Sequence, residues 1–502
     1  MLVVEEADTA QALKRALAER QVESIRAILT RVAPDEAFVV LDQLSVGEQA
    51  DLVDLLGPDD LLSLVPRSTP DGEVASTAFE LDLEPREFPR LLRMLGPGLI
   101  SGASDDDPSG VATYSVAGAQ FGFATLWTAL VTFPLLAAVQ YTCAKIGFAT
   151  GMGLAGVLRR HYPRPLVYTA VMALLIANTI NAGADLGAIG AAINLLVPSV
   201  PVPVLVTPIA LIILGLQVLG PYWLIARVFK WLTLALAAYI GVAFFVRPDW
   251  SEVLRATVIP AINFDAGYVT TLVAILGTTI SPYMFFWQTS HYTEEQVTRG
   301  RIFLWQRRGA TDAELRYARW DVGIGMFLSN VVMYFIILAS AATLHAVGKT
   351  DVRSAADVAE SLRPLAGDGA SILLALGLIG TGFLAVPVLT GSSAYAVAEA
   401  LKWHYGLGAR LRRAARFYAV IAVSTLLAAA FNYLGINVID GLFWSSVING
   451  VLAPPLLVVI LVAANNRAVM GGRVNGSGLN LLVGLAAALM FAAALGLFLI
   501  PS

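Results

Sequence analysis

The sequence predicts an all-α polytopic membrane protein of about 11 transmembrane helices, preceded by a small helical N-terminal domain. Three observations predict it. The 502 residues are 57% hydrophobic and only 14% charged, with a mean hydropathy of +0.71, which excludes an ordinary soluble enzyme. Apolar segments of about 20 residues, the length a bilayer core requires of a helix, recur from Leu91 onward. Two of those segments, five spans apart, are interrupted in mid-span by a proline and polar residues, the pattern of an inverted repeat with a midplane site.

Residues 1–66 read as a charged, amphipathic stack of short helices. Val32-Ala33-Pro34-Asp35-Glu36-Ala37 and Leu56-Gly57-Pro58-Asp59-Asp60-Leu61 repeat one start signal. Proline fits a first helical turn, and the acids after it complement the helix dipole. Ile25, Ile28, Leu29 and Val32, and again Leu52, Val53, Leu55 and Leu56, recur at helical spacing. Residues 67–90 form a linker. The start of the chain lacks the basic and continuous apolar regions of a signal peptide, so the internal spans direct insertion.

Residues 91–502 hold the spans, near 94–119, 122–148, 166–196, 202–219, 222–246, 267–292, 320–346, 370–400, 415–434, 443–463 and 478–500. Arg159, Arg160 and Arg164, Arg299 to Arg319, Lys402 to Arg416, and Arg467 with Arg473 fall on one side. The turns near Phe121 and from Ser199 to Pro203 have no Lys or Arg. The positive-inside rule makes the cationic side and the N-terminal domain cytoplasmic, with the chain spanning the cell (plasma) membrane. A net charge of −4 argues against a nucleic-acid partner, and the single Cys143 excludes an intrachain disulfide. Oligomeric state is not legible.

The first interruption is Asp105-Asp106-Asp107-Pro108-Ser109-Gly110. Carboxylates in hydrocarbon are rare and mark an ion or substrate path, and non-helical backbone at that depth lines a cavity. Pro108 removes a donor and Gly110 permits open dihedrals, which frees carbonyl oxygens for a cation. Asp107 carries the main charge and Asp106 follows. Three adjacent aspartates do not face one point, so one or two are expected in an aqueous vestibule. The second interruption, Thr278-Thr279-Ile280-Ser281-Pro282-Tyr283, repeats the device with hydroxyls in place of acids. Asp105, Asp185, Asn181, Gln288 and Asn449 are candidates for the permeation path; Asp185 either lines it or pairs with Asn181. A lone His291 reads as a packed residue. Asp321 and Glu399, near span ends, read as solvated or interfacial.

Leu95-Gly96-Pro97-Gly98, Asp107-Pro108 and Ala117-Gly118-Ala119-Gln120-Phe121-Gly122 resemble the first-span signature of the NRAMP divalent-metal transporters. Gln140-Tyr141, Ile189-Gly190-Ala191-Ala192 and Thr390-Gly391-Ser392 extend the resemblance at matching spacing. It implies the LeuT fold, a 5+5 inverted repeat, and divalent-cation transport with no enzymatic activity and no cofactor. The departures carry information. The family's Asn falls on Gly110, its Gly on Ser109, and its Met-Pro-His on Ser281-Pro282-Tyr283; Gln288 stands at the second histidine, and Ala184 and Gly187 at the third-span acids.

Thioether ligands select softer metals, whereas an all-oxygen site suits a hard ion. Mg²⁺ keeps several waters and is held by few direct ligands, which Gly110 is expected to make room for. The implied metal set is Asp107, Asp106, Gly110, Thr278, Ser281 and Tyr283. These features resemble the NRAMP-related magnesium transporters, and residues 20–65 weakly resemble the MgtE N-domain, a regulatory module. The expectation is uncoupled uptake of largely hydrated Mg²⁺. The alternatives are a proton-coupled Mn²⁺/Fe²⁺ importer, a LeuT-fold organic-substrate symporter, and a membrane metal sensor without flux.

Overall fold

Charged amphipathic sequence at the start of the chain folds as short helices because each apolar stripe has a neighbour to cover it. A computed structural model describes residues 2–32, 34–57, 60–61, 97–220 and 234–500, and among these every regular element is helical. Helices α1 (Leu2–Ala18), α2 (Val22–Arg31), α3 (Pro34–Asp42) and α4 (Val46–Leu56) share a core around Leu13, Ile25, Leu29, Leu41 and Leu52. The first Pro-acid-acid signal does open a helix, α3. The second falls partly, and the linker 67–90 wholly, outside the described residues. Ser45 and Glu48 close α4 with a reciprocal capping box.

The apolar part begins with α5 (Pro97–Asp105) and α6 (Pro108–Phe121), two halves of one interrupted span. It continues with α7 (Trp127–Thr150), α8 (Leu154–His161), α9 (Arg164–Leu196), α10 (Val202–Leu219), α11 (Ala238–Val246) and α12 (Trp250–Val258). The second interrupted span is α13 (Ala266–Thr279) with α14 (Pro282–Thr298). Then come α15 (Asp312–Thr343), α16 (Ala370–Ala400), α17 (Ala415–Phe431), α18 (Val438–Asn465) and α19 (Ser477–Leu499).

Among the described residues eight spans have the length and apolarity to cross a bilayer. Two shorter apolar helices, α17 and the stretch 234–246, and the α5–α6 pair occupy the remaining positions read from the sequence. In the α13–α14 span 89% of an 18-residue apolar stretch is buried within the protein, whereas in α10 and α19 the share is 28%. The interrupted helices therefore sit at the centre, and α10 and α19 offer their apolar faces to lipid.

Helix α15 is the wall against which the first broken span packs. A side chain at Gly98 would place its Cβ 2.6 Å from the Val322 nitrogen, and Gly102 and Gly118 approach the α15 backbone as closely. Asp321 on this wall accepts from the Gly98 N–H at 2.7 Å and from the Tyr292 hydroxyl at 2.8 Å. One carboxylate thus caps α5 and ties it to α14. The solvated reading of Asp321 is corrected: it is 9% exposed. Glu399 is likewise buried, accepting from the Gly156 N–H and the Ser290 hydroxyl, because it joins α8 and α14 to α16.

The N-terminal helices dock on the arginine-rich face. Arg160 pairs with Asp54 and donates to the Ala50 carbonyl, Lys402 meets Asp51 at 2.6 Å, and Arg413 meets Asp42. Such half-exposed pairs contribute about 0–1 kcal/mol each. Phe303 and Trp305, stacked 4.7 Å apart and buried in the α1–α4 core, contribute more, about 1.5–3 kcal/mol per fully buried ring. The pairs therefore set the register of docking and the rings its strength.

His404 Nε2 lies 3.0 Å from the Gln43 carbonyl. Burial, then repulsion from Arg413 and Lys14, holds this imidazole below its usual range, so the neutral ring donates. A depressed histidine favours the docked state above its ordinary pKa and ceases to do so as pH falls. Amide exchange in Val46–Leu56, corrected for intrinsic rate, is expected to rise several-fold in Arg160→Glu/Lys402→Glu, and more modestly in the wild type below about pH 6.5. Unchanged protection in both would contradict this account of docking.

Candidate ion site at the two helix breaks

Proline and aspartate build the first break. Asp107 (φ −65°, ψ 168°) is the N-cap of α6, with Pro108 in its first turn. Its Oδ1 accepts from the Gly110 N–H at 2.7 Å and from the Ser109 hydroxyl at 2.6 Å. Its Oδ2 accepts from Asn181 Nδ2 at 3.2 Å. The cap thus holds a carboxylate at the positive end of a half-helix, deep in the protein.

Helix α9 supplies the facing polar residues. Asn181 and Asp185 are one turn apart, and Asn181 Nδ2 also donates to Asp185 Oδ2 at 3.2 Å. From α18, Asn449 Nδ2 donates to Asn181 Oδ1 at 3.3 Å. One amide therefore bridges two carboxylates and is itself oriented by a second amide. Asp185, 0% exposed, pairs with Asn181, the second of the two readings of this residue.

The three aspartates do not open to a vestibule in this conformation. Asp105, Asp106 and Asp107 are 0%, 5% and 1% exposed, which corrects that expectation. They divide between two faces. Ser329 on α15 donates to Asp105 Oδ2 at 2.6 Å and lies 3.3 Å from Asp106 Oδ1, while Asp107 turns to α9. Ser329 was missed because a single serine in an apolar helix has no distinguishing pattern.

At the second break Ile280 and Ser281 leave helical dihedrals and Pro282 starts α14. The Ser281 hydroxyl donates back to the Gly277 and Thr278 carbonyls, both at 2.7 Å, and so bonds within its own break. Each carbonyl keeps a second lone pair. Thr278 Oγ1 reaches across to Ser109 Oγ at 3.3 Å, and Tyr283 donates to the Ser104 carbonyl at 3.2 Å. These contacts lace the breaks together. Gln288 lies apart, accepting from Ser101 on α5, and His291 packs on Trp287.

The room expected at Gly110 is taken up. A Cβ there would stand 3.3 Å from both Thr278 Oγ1 and the Tyr114 ring. Closure of the two breaks on each other is the reason.

Three buried oxygens around the breaks, Asp105 Oδ1, Asp185 Oδ1 and Asn449 Oδ1, have no hydrogen-bond partner among the described residues. Buried acceptors are normally satisfied, and all three are hard oxygens suited to a cation or its water shell. Among the described residues no three His, Cys, Asp or Glu side chains converge as a complete ligand cage.

The Nramp family model, described as natural resistance-associated macrophage protein-like, matches residues 98–500. Divalent metal cation transporters MntH from two Klebsiella pneumoniae strains are 28% identical over 387 residues, covering 76% of this chain and 88% of theirs. The crystal structure of the Eremococcus coleocola manganese transporter, in complex with an aromatic bis-isothiourea substituted compound, superposes with a TM-score of 0.63 at 20% identity. That match covers 82% of this chain and 87% of the other, and shows the fold.

Asp107 has two separable duties, capping α6 and supplying charge. Asparagine caps as well as aspartate, whereas alanine costs about 1 kcal/mol of cap. Asp107→Asn is expected to retain the thermal midpoint and weaken divalent-ion binding about tenfold or more, equivalent to 1.4 kcal/mol. Asp107→Ala is expected to lose both. Calorimetric titration of purified variants checks this, and full binding by Asp107→Asn would remove the charge from the argument.

Proposed function

We propose, from the premise that this chain belongs to the Nramp family of divalent metal transporters, that it carries Mg²⁺ inward as a largely hydrated ion without coupled H⁺. The observation that supports this most is the set of partnerless buried oxygens, Asp105 Oδ1, Asp185 Oδ1 and Asn449 Oδ1, beside a second break whose own residues, Thr278 to Tyr283, carry no thioether or imidazole. Oxygen ligands favour a hard ion, and the sulfur nearby, Met333 Sδ, is engaged by the Thr279 hydroxyl at 3.7 Å. Isolated acceptors of this kind, spread over α5, α9 and α18, suit an ion that keeps its waters.

In this mechanism Asp107 provides the main charge, and Asp106 and Asp105 deepen the negative potential from the α15 side. Asn181 and Asn449 present amide oxygens to water in the ion's shell. Thr278 and the carbonyls around Ser281 complete the outer contacts from the second break. Rocking of the two interrupted spans against α9, α15 and α16 parts the Ser109–Thr278 contact and opens the site to one side at a time. The arginine-rich face and the docked α1–α4 helices lie in the cytoplasm, and the carrier sits in the plasma membrane. An inward-negative potential supplies about 2.3 kcal/mol per charge per 100 mV, twice that for a divalent ion.

The second reading, proton-coupled Mn²⁺ import, is compatible with the MntH relatives, whose description as divalent metal cation transporters fits either ion. It is disfavoured by Tyr283 and Gln288 standing where the family resemblance places histidines.

Proteoliposomes loaded with a pH dye separate the two. Mg²⁺ influx without acidification is expected. Mn²⁺ uptake that acidifies the lumen, with no Mg²⁺ uptake, would overturn the proposal. Ser281→Met is expected to increase Cd²⁺ inhibition of uptake, and an unchanged inhibition curve would count against the ligand-softness argument.

A further inference from the structure

A cationic cavity lies away from both breaks. It has a volume of about 400 Å³ and opens between α7, the first turns of α15 and the turn at 472–474, all on the arginine-rich face. Lys145, Arg316, Arg319 and Arg473 line it, against a single carboxylate, Asp312. That carboxylate is taken by Arg473.

Lys145 is only 7% exposed, and its ammonium is held by neutral acceptors, the Val474 carbonyl at 2.9 Å and Asn475 Oδ1 at 3.2 Å. Arg319 lies over the Tyr141 ring, 5.4 Å from its centroid. Among the described residues no carboxylate forms an ion pair with Lys145, Arg316 or Arg319. A buried ammonium beside two further cations without a counter-charge is costly, and an anion in the cavity removes that cost. Planar guanidinium forks and an ammonium match phosphate oxygens in particular.

The position of the cavity indicates the source of the phosphate. The lining residues stand at the ends of two membrane-spanning helices, where basic pockets meet lipid headgroups. Trp320, next to Arg319 and 71% exposed, is an interfacial aromatic of the kind that sits at headgroup level. We propose that this cavity binds the phosphate of an anionic phospholipid headgroup, with Lys145 at its floor and Arg316 and Arg319 at its rim. Bound there, the lipid joins α7, α15 and the 472–474 turn. The inference is independent of which ion the carrier moves, because none of these residues touches the breaks.

The test uses the full chain in neutral detergent, titrated separately with short-chain phosphatidylglycerol, short-chain phosphatidylcholine and inorganic phosphate. Thermal midpoint and native mass spectrometry are the readouts. Phosphatidylglycerol is expected to raise the midpoint and appear as one retained lipid, and phosphatidylcholine to do neither. Affinity is expected to fall at least about tenfold in Arg316→Gln/Arg319→Gln, whose side chains are exposed and whose loss leaves the fold intact. Equal binding of the two lipids by the wild type, or undiminished phosphatidylglycerol binding by the variant, would overturn the site. Inorganic phosphate matching phosphatidylglycerol in midpoint shift would overturn the lipid assignment.

Discussion

Everything at the centre of this protein depends on keeping a carboxylate, Asp107, at the end of a half-helix inside the membrane. Isolated, that charge would cost several kcal/mol. The fold offsets it locally. The Gly110 N–H, the Ser109 hydroxyl and the Asn181 amide all donate to it, and the α6 dipole points its positive end toward it. The break in the helix is therefore what makes the charge tolerable, and the charge in turn caps the break.

The rest of the architecture holds that arrangement in place. Glycines at 98, 102 and 118 let α5 and α6 lie directly on the α15 backbone, and Asp321 links α5 to α14. The two interrupted spans are coupled through Thr278 to Ser109 and through Tyr283 to the Ser104 carbonyl. These are few, neutral hydrogen bonds, each worth about 1 kcal/mol, so they close the site firmly enough to define it and weakly enough to part. Among the described residues the N-terminal helices meet the arginine-rich face through the rings at 303 and 305, three cation–carboxylate pairs and hydrogen bonds such as that of His404 to the Gln43 carbonyl.

Much of this was legible in the sequence, for definite reasons. Proline beside polar residues in mid-span betrayed both breaks, and Asn181 with Asp185, four residues apart, implied one helix face. What was hidden depended on contacts between distant segments. The division of Asp105 and Asp106 from Asp107 follows from Ser329, 224 residues from Asp105, and no local pattern announces it. Asp321 and Glu399 looked solvated because they sit near span ends, yet each satisfies backbone N–H groups of a neighbouring element. Gly110 promised space, but space at a moving junction belongs to a conformation, and here Thr278 and Tyr114 occupy it. The family, visible in short motifs, was secured only by a match across residues 98–500.

The central claim is that buried oxygens at the breaks hold a divalent ion mainly through its water. The most direct measurement is proton electron-nuclear double resonance on Mn²⁺ bound to the purified protein, which counts exchangeable waters on the ion. Several retained waters, with signals lost in Asp107→Asn, is the predicted result. An ion stripped of most of its water and held directly by protein atoms would contradict it.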